Sequence, residues 1–414
     1  MTTTGYNLPR LRSEVVLGPG LRLGTRVVHR VKDPRTGCYY RIGQREHFIM
    51  RLMDGEHTLE DIGRAYSGEY GRTLGPDNWR QMFILLGRYQ LLDGDVDEAV
   101  LDRIRSERAA REKNRPDGWL SRRWVLVHPD RVCAALAGRL SFAFHRAFVI
   151  PALILVVLSQ IVVWAHTGLL VSDATSHVGW PVVAPSTLIL AWLITMVHEL
   201  AHGVACRYFG GEVTEIGVRW HFPLLAPYCR TDDIVLFHRR TARVGTAFAG
   251  IFAGLLAMLP VLAWWWFSDQ GGMSRSMAAG LLLFGSGGSL VALMPFLQLD
   301  GYVMLTHGLN VADLRAETHR YWGLQAHRRR PESREALNAC PPRLARACIL
   351  YGIASLLALA GVCCALVWLW YGTLEHYLGA VPAIGILAAE AVVVAGLAAY
   401  VMRRRSSTKK AAHG

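Results

Sequence analysis

STLILAWLITMVHELAHGVACRYF, residues 186–209, decides how this chain is read. The stretch is long and apolar enough to span a bilayer, with only Arg207 near its end, yet it carries His198, Glu199 and His202. Two histidines four apart on a helix project from one face, a turn apart, and can grip one zinc ion. The glutamate between them can take a proton from a metal-bound water. With 16 histidines in 414 residues, an H-E-x-x-H pattern arises by chance in roughly a few per cent of such chains. The three groups would then only hydrogen-bond inside a helix bundle. The setting argues for metal, because ionisable side chains at membrane depth are costly unless paired or metal-bound.

Working outward, the chain is 52% hydrophobic, and six stretches have the length and character of spans: 147–170, 186–209, 244–267, 277–299, 347–371 and 379–402. The first begins too late for a signal peptide, and the N-terminus has no apolar core of that kind. The net charge of +13 is unevenly placed. Arg122, Arg123, Arg131, Arg139 and Arg146 precede the first span, and the next gap has no Lys or Arg. Arg219, Arg230, Arg239, Arg240 and Arg243 follow the second span, and Arg275 stands alone after the third. Arg315, Arg320, Arg328, Arg329, Arg330, Arg334, Arg343 and Arg346 follow the fourth; Arg403, Arg404, Arg405, Lys409 and Lys410 follow the last. Basic gaps alternate with gaps nearly free of positive charge, so the positive-inside rule predicts a multi-pass protein with both termini in the cytoplasm. This accounts for the basic balance without nucleic acid; a basic tail on DNA or anionic lipid is the alternative. None of the eight cysteines forms a C-x-x-C pair, and reduced thiols are expected. Cys206, one turn after His202, can either approach a metal or pack in its helix.

A catalytic zinc usually takes three protein ligands and a water, so a third ligand must come from elsewhere. The fourth span runs into Leu293-Met294-Pro295-Phe296-Leu297-Gln298-Leu299-Asp300-Gly301-Tyr302. Asp300 is its only terminal acid, and the charge pattern puts it at the cytoplasmic end, near the depth of His198 and His202. Asp300 is therefore the candidate third ligand; a helix-terminal acid in a turn before Gly301 is the alternative, and the two are compatible.

The pairing of HELAH with the distant PFLQLDGY resembles the site-2 protease family of membrane zinc metallopeptidases, over roughly residues 186–302. Gly210-Gly211 is similar to the family's turn after the motif, and Phe248-Ala249-Gly250 to the small-residue start of its third span. Phe222-Pro223 through Tyr228-Cys229 resembles a segment of the bacterial peptide zinc metalloprotease branch. The resemblance implies a zinc metalloendopeptidase in a bacterial cell membrane, with His198, His202 and Asp300 on Zn2+ and Glu199 as catalytic base. The chain departs from the family at Ala292, where an asparagine often stands three residues before the proline; the electrophilic helper is thereby unassigned.

Gly250 and Gly254 form a G-x-x-x-G step, and Gly285, Ser286, Gly287 and Gly288 thin the fourth span; both read as scaffold for close helix approach. Glu390 is a lone acid in the last span, read as a hydrogen-bonded packing residue or a gate. Val213 to Trp220 alternates as a strand does, giving either an edge that holds an extended peptide or a hairpin capping the bundle. Asp232 and Asp233 read as surface charge or as contacts for a basic peptide.

Residues 1–94 have another character. Thr25 to Val31 and Cys38 to Ile42 read as two strands around Asp33-Pro34-Arg35-Thr36-Gly37. Three amphipathic helices come next: near residues 45–53, after Thr58 with Asp61 completing a near capping box, and from Pro76 to about Leu92. This makes a small winged-helix-like unit. Tyr40-Arg41-Ile42-Gly43, Leu52-Met53-Asp54-Gly55 and Thr58-Leu59-Glu60-Asp61-Ile62 are similar to PqqD-type domains, which implies binding of the leader of a ribosomally made, modified precursor peptide. DNA binding competes, but Arg80 and Arg88 are few, and Asp93, Asp95, Asp97 and Glu98 are acidic.

The expected fold is therefore mostly α: a polytopic membrane helix bundle of about six spans with a small N-terminal α+β winged-helix-like domain. The expected organisation is a peptide-recognition domain over 1–94, a charged linker over 95–146, helical or flexible over 103–123, and a membrane catalytic core over 147–302. A cytoplasmic basic loop over 303–346 and a two-span segment with a basic tail over 347–414 complete it. Leader removal from a precursor peptide is the expected function. Cleavage of a membrane-anchored regulator, or a non-catalytic role in peptide export or immunity, is the alternative. Membrane lipid is an expected partner and nucleic acid is not.

Overall fold

The computed structural model describes residues 8–113, 121–176, 179–221, 224–393 and 396. Helix dominates these residues, with a small sheet region near the N-terminus. They divide into two compact units, one up to Pro341 and one from Pro342 onward.

The first unit opens with an antiparallel sheet of β1 (Val16–Leu17), β2 (Leu21–Leu23), β3 (Arg26–Asp33) and β4 (Cys38–Gly43). β3 pairs with all three others, and Asp33↔Cys38 sets its register with β4. The turn between them needs Gly37 at φ 63°, in the left-handed region. The expected two strands are present; β1 and β2 are too short for periodicity to reveal. Next come α1 (Gln44–Leu52), α2 (Leu59–Tyr70) and α3 (Pro76–Arg88). The Thr58 hydroxyl accepts from the Asp61 N–H at 3.1 Å and the Asp61 carboxylate accepts from the Thr58 N–H at 3.1 Å, completing the capping box. Val31, Ile49, Met50, Ile62, Tyr66 and Leu86 are buried together between sheet and helices.

The stretch expected to be a charged connector is more ordered than that. α4 (Glu98–Lys113) is helical as anticipated, but Ser121–Val127 forms β5, and α5 (Asp130–Arg139) comes after it. β5 pairs antiparallel with β6 (Glu215–His221), which pairs with β7 (Leu224–Arg230). The charges of Arg122 and Arg123 mask a strand whose remaining residues, Trp124 to Val127, favour extended structure. The alternation read from Val213 onward is thus a hairpin strand in a three-stranded sheet.

Among the described residues five helices are long and apolar enough to cross a membrane. They are α6 (Arg146–Ala165), α8 (Trp180–Tyr208), α9 (Arg240–Phe267), α10 (Met273–Leu293) and α14 (Pro342–Leu378). α6 stops at His166, and the rest of the expected first span is the separate α7 (Thr167–Ala174). α10 ends at Leu293, not at 299. Pro295 pushes Met294 out of helical geometry, to φ −67° and ψ 120°. Asp300 therefore opens a new helix, α11 (Asp300–Leu309), instead of ending the fourth span. The expected basic loop over 303–346 is also helical, through α11, α12 (Leu314–Ala326), α13 (Pro331–Asn338) and the start of α14. α8, α9 and α10 pack on one another, and α11 packs on α9. Asp173 of α7 accepts from Arg275 Nε at 2.7 Å and from Trp265 Nε1 at 2.8 Å, tying α7, α9 and α10 at one end.

In the second unit α14 turns at Gly379, φ 86°, into the shorter α15 (Ala380–Val393). The expected sixth span, 379–402, is thus helical over its first part. Most of the chain beyond Val393, with the basic tail from Arg403, lies outside the described residues. Trp370 Nε1 donates to Glu390 at 3.1 Å, so that lone acid has a packing partner. Thr58→Ala is expected to cost the capping box about 1 kcal/mol, read as faster amide exchange along α2; unchanged exchange there contradicts this account.

Candidate metal centre

α8 and α11 bring three side chains to one point. His198 Nε2 lies 3.0 Å from Asp300 Oδ2, His202 Nε2 lies 3.2 Å from His198 Nε2, and His202 Nε2 lies 3.4 Å from Asp300 Oδ2. Tetrahedral ligands with bonds of about 2.0–2.1 Å are separated by about 3.3 Å, so these spacings fit one zinc-sized ion. Among the described residues this is the group of His, Cys, Asp and Glu atoms that lies close enough to hold a metal. All three ligand candidates read from the sequence are therefore brought together.

Two of the three are supported from outside the cluster. His202, 7% exposed, faces the Thr246 carbonyl through Nδ1 at 2.8 Å. A carbonyl only accepts, so Nδ1 carries the proton and Nε2 presents its lone pair to the cluster. Asp300 sits in the first turn of α11, after Leu299 as N-cap, where the helix dipole favours a carboxylate. The reading of Asp300 as a helix-terminal acid is thus also met, at the start of a helix. A Cβ on Gly301 would strike the Leu293 carbonyl, so the glycine lets α11 fold back on the end of α10.

Gly250 of α9 lies against both imidazoles. A Cβ there would stand 2.7 Å from His198 Nε2 and closer still to His202 Nε2. At Gly254 a Cβ would stand 3.8 Å from His198 Nδ1, an ordinary contact. In the sequence the G-x-x-x-G step reads as scaffold only; in the structure its first glycine is a wall of the site.

Glu199 points toward the sheet. Its Oε2 accepts from the backbone N–H of Cys229 in β7 at 2.7 Å. Further up α8, Trp192 Nε1 donates to the Leu225 carbonyl at 3.1 Å. The two contacts lay the edge of β7 not paired with β6 along the motif helix. Pro227 lies on that same edge, where its missing N–H costs the sheet nothing. The Thr246 carbonyl, the Cys229 N–H and the space at Gly250 escape a reading of the sequence because backbone groups carry no residue-type signal; the small-residue step is the single hint.

Other candidates fall elsewhere. Cys206 is buried in an apolar cluster with Cys133, Val213 and Phe237, its thiol directed at the Glu212 carbonyl at 3.7 Å, outside the metal group. Asp233 is 4% exposed and ion-paired to Lys32, and Asp232 pairs with Arg230 at 2.6 Å. Asp233 is thus a buried ion-pair partner, which corrects both readings of it, whereas Asp232, with a 39% exposed side chain, is a surface charge paired to Arg230. Ala292, in the last turn of α10, offers no polar side chain at the position where an asparagine was sought.

Comparison with protein-family models, with curated proteins and with solved structures finds no match. Gly250→Ala is expected to displace an imidazole and weaken Zn2+ binding by 10-fold or more, whereas Gly254→Ala stays within about 2-fold of wild type. Titration calorimetry on the detergent-purified chain reads both, and equal affinities would contradict the packing described.

Proposed function

We propose that this chain is a membrane-embedded zinc metalloendopeptidase of the site-2 protease type, which removes the leader from a ribosomally synthesised, modified precursor peptide. The convergence of His198, His202 and Asp300, with Glu199 beside them, carries the reading. In this proposal the helices lie in a bacterial cell membrane, with both termini in the cytoplasm, as the alternation of basic segments supports.

A bound zinc ion would supply Lewis acidity, lowering the pKa of a water and polarising a scissile carbonyl. His198, His202 and Asp300 would hold it. Glu199 takes the water's proton and passes it to the leaving amine nitrogen. The N-terminal sheet and helices, read as a winged-helix-like PqqD-type domain, would hold the leader and so raise the effective concentration of the attached cleavage site.

The test is incubation of the purified wild-type and Glu199→Gln proteins with candidate precursor peptides, read by mass spectrometry. Glu199→Gln is expected to retain wild-type zinc content and to cleave on the order of 10²–10⁴-fold more slowly. Identical products at identical rates would overturn the mechanism, whether the substrate is a precursor peptide or a membrane-anchored regulator.

A further inference from the structure

Both helices that bring the proposed ligands end on the N-terminal sheet. α8 finishes at Tyr208, about 9 Å along its axis beyond His202. The chain then turns at Gly210, φ 90°, and Glu212 meets Lys32 of β3. Lys32 Nζ donates to Glu212 Oε2 at 2.6 Å and to Asp233 Oδ2 at 2.7 Å. Asp233 also accepts from the Glu212 N–H at 2.8 Å and from the Tyr39 hydroxyl of β4. Lys32 and Asp233 are each 4% exposed, so removing one partner strands a buried charge. Burial alone would lower the Lys32 pKa, but the hydrogen bonds and charges of Asp233 and Glu212 outweigh it and raise it above the ordinary lysine value. Lys32 therefore carries its charge in this contact at neutral pH, and that charge is lost as pH rises through the raised value.

α11 finishes about 15 Å beyond Asp300, at Asn310, a C-cap in left-handed geometry at φ 58°. The Asn310 side chain donates to the Gly20 carbonyl at 2.7 Å and accepts from Arg243 Nη2 at 2.6 Å. Its own carbonyl accepts from the Arg22 N–H at 3.0 Å, and the Ala312 N–H donates to the Arg22 carbonyl at 2.7 Å. Arg22 of β2 and Val311 thereby form a parallel bridge. α8 and α11 each pack extensively on α9, and the N-terminal sheet, in the same compact unit, touches the far end of both.

We infer that the N-terminal subdomain is a positioning element of the metal centre: Lys32 and Asn310 hold the far ends of the two ligand-bearing helices so that His198, His202 and Asp300 meet. The inference rests on the metal reading of that site and adds residues remote from it, in a part of the chain otherwise assigned to peptide capture. Because the ligands sit on rigid helices, a tilt released at either far end moves one ligand against the others.

The test uses the full chain in detergent micelles, with Zn2+ affinity read by chelator competition and coordination by the visible spectrum of bound Co2+. Lys32→Met and Asn310→Ala are each expected to weaken Zn2+ binding about 2- to 30-fold and to alter the Co2+ spectrum. Lys32→Arg should recover most of the affinity, and Arg64→Ala, on an exposed part of α2 with a 71% exposed side chain, should match wild type. If Lys32→Met does not fold, Lys32→Gln reads the same quantity with a neutral hydrogen-bonding side chain. Folded Lys32 and Asn310 variants with wild-type affinity and spectrum would overturn the inference. His202→Ala separates the two levels: if it binds Zn2+ as wild type does, the metal reading fails. If it loses Zn2+ while the remote variants keep it, the inference alone fails.

Discussion

Polar and ionisable groups placed among apolar helices must satisfy one another, because neither lipid nor packed side chains will. His198, Glu199 and His202 share one apolar helix, and the surrounding structure is organised around meeting their demands. Asp300 Oδ2 lies within 3.4 Å of both Nε2 atoms, where in the proposed function one metal ion would satisfy all three. The Thr246 carbonyl fixes the tautomer of His202, and the Cys229 N–H holds Glu199. These groups come from four separate places in the chain: α8, β7, α9 and the start of α11. The space that lets them close is the absence of a side chain at Gly250.

Much of this is legible in residue type. The HELAH spacing places both imidazoles on one face, and the acid at the end of the fourth apolar stretch is a sound candidate to meet them. Thr58 and Asp61 announce the start of α2, and the turn at Gly37 announces the β3–β4 hairpin. The features that escape such a reading are carried by backbone or by competing signals. Pro295 cuts the fourth apolar stretch short, so Asp300 opens α11, where the helix dipole helps to settle its charge. Arg122 and Arg123 disguise β5, although Trp124 to Val127 favour a strand. Asp233 looks like surface charge because nothing local signals Lys32, which is remote in sequence and adjacent in space.

The same long-range contacts join parts that composition divides. The stretch from Ser121 adds a strand to the hairpin beside the motif helix, and β2 bridges to the residue after the α11 cap. The proposed recognition part and the proposed chemistry thus fall within one compact unit of the chain. Lys32, Glu212, Asp233 and Asn310 hydrogen-bond the proposed leader-binding part to the far ends of the helices that carry the proposed metal ligands, away from the site itself. The buried Lys32–Asp233 pair is costly to place and costlier to half-remove, which makes it suited to fixing alignment more than to adding stability.

Zinc K-edge X-ray absorption on the purified, metal-loaded chain tests the central claim most directly. The account predicts one zinc per chain in a shell of two imidazoles and oxygen donors at about 2.0–2.1 Å, with no sulfur. A shell containing sulfur at about 2.3 Å would place the metal on cysteine, and failure to retain stoichiometric metal would leave His198, His202 and Asp300 as a hydrogen-bonded cluster; either result would contradict it.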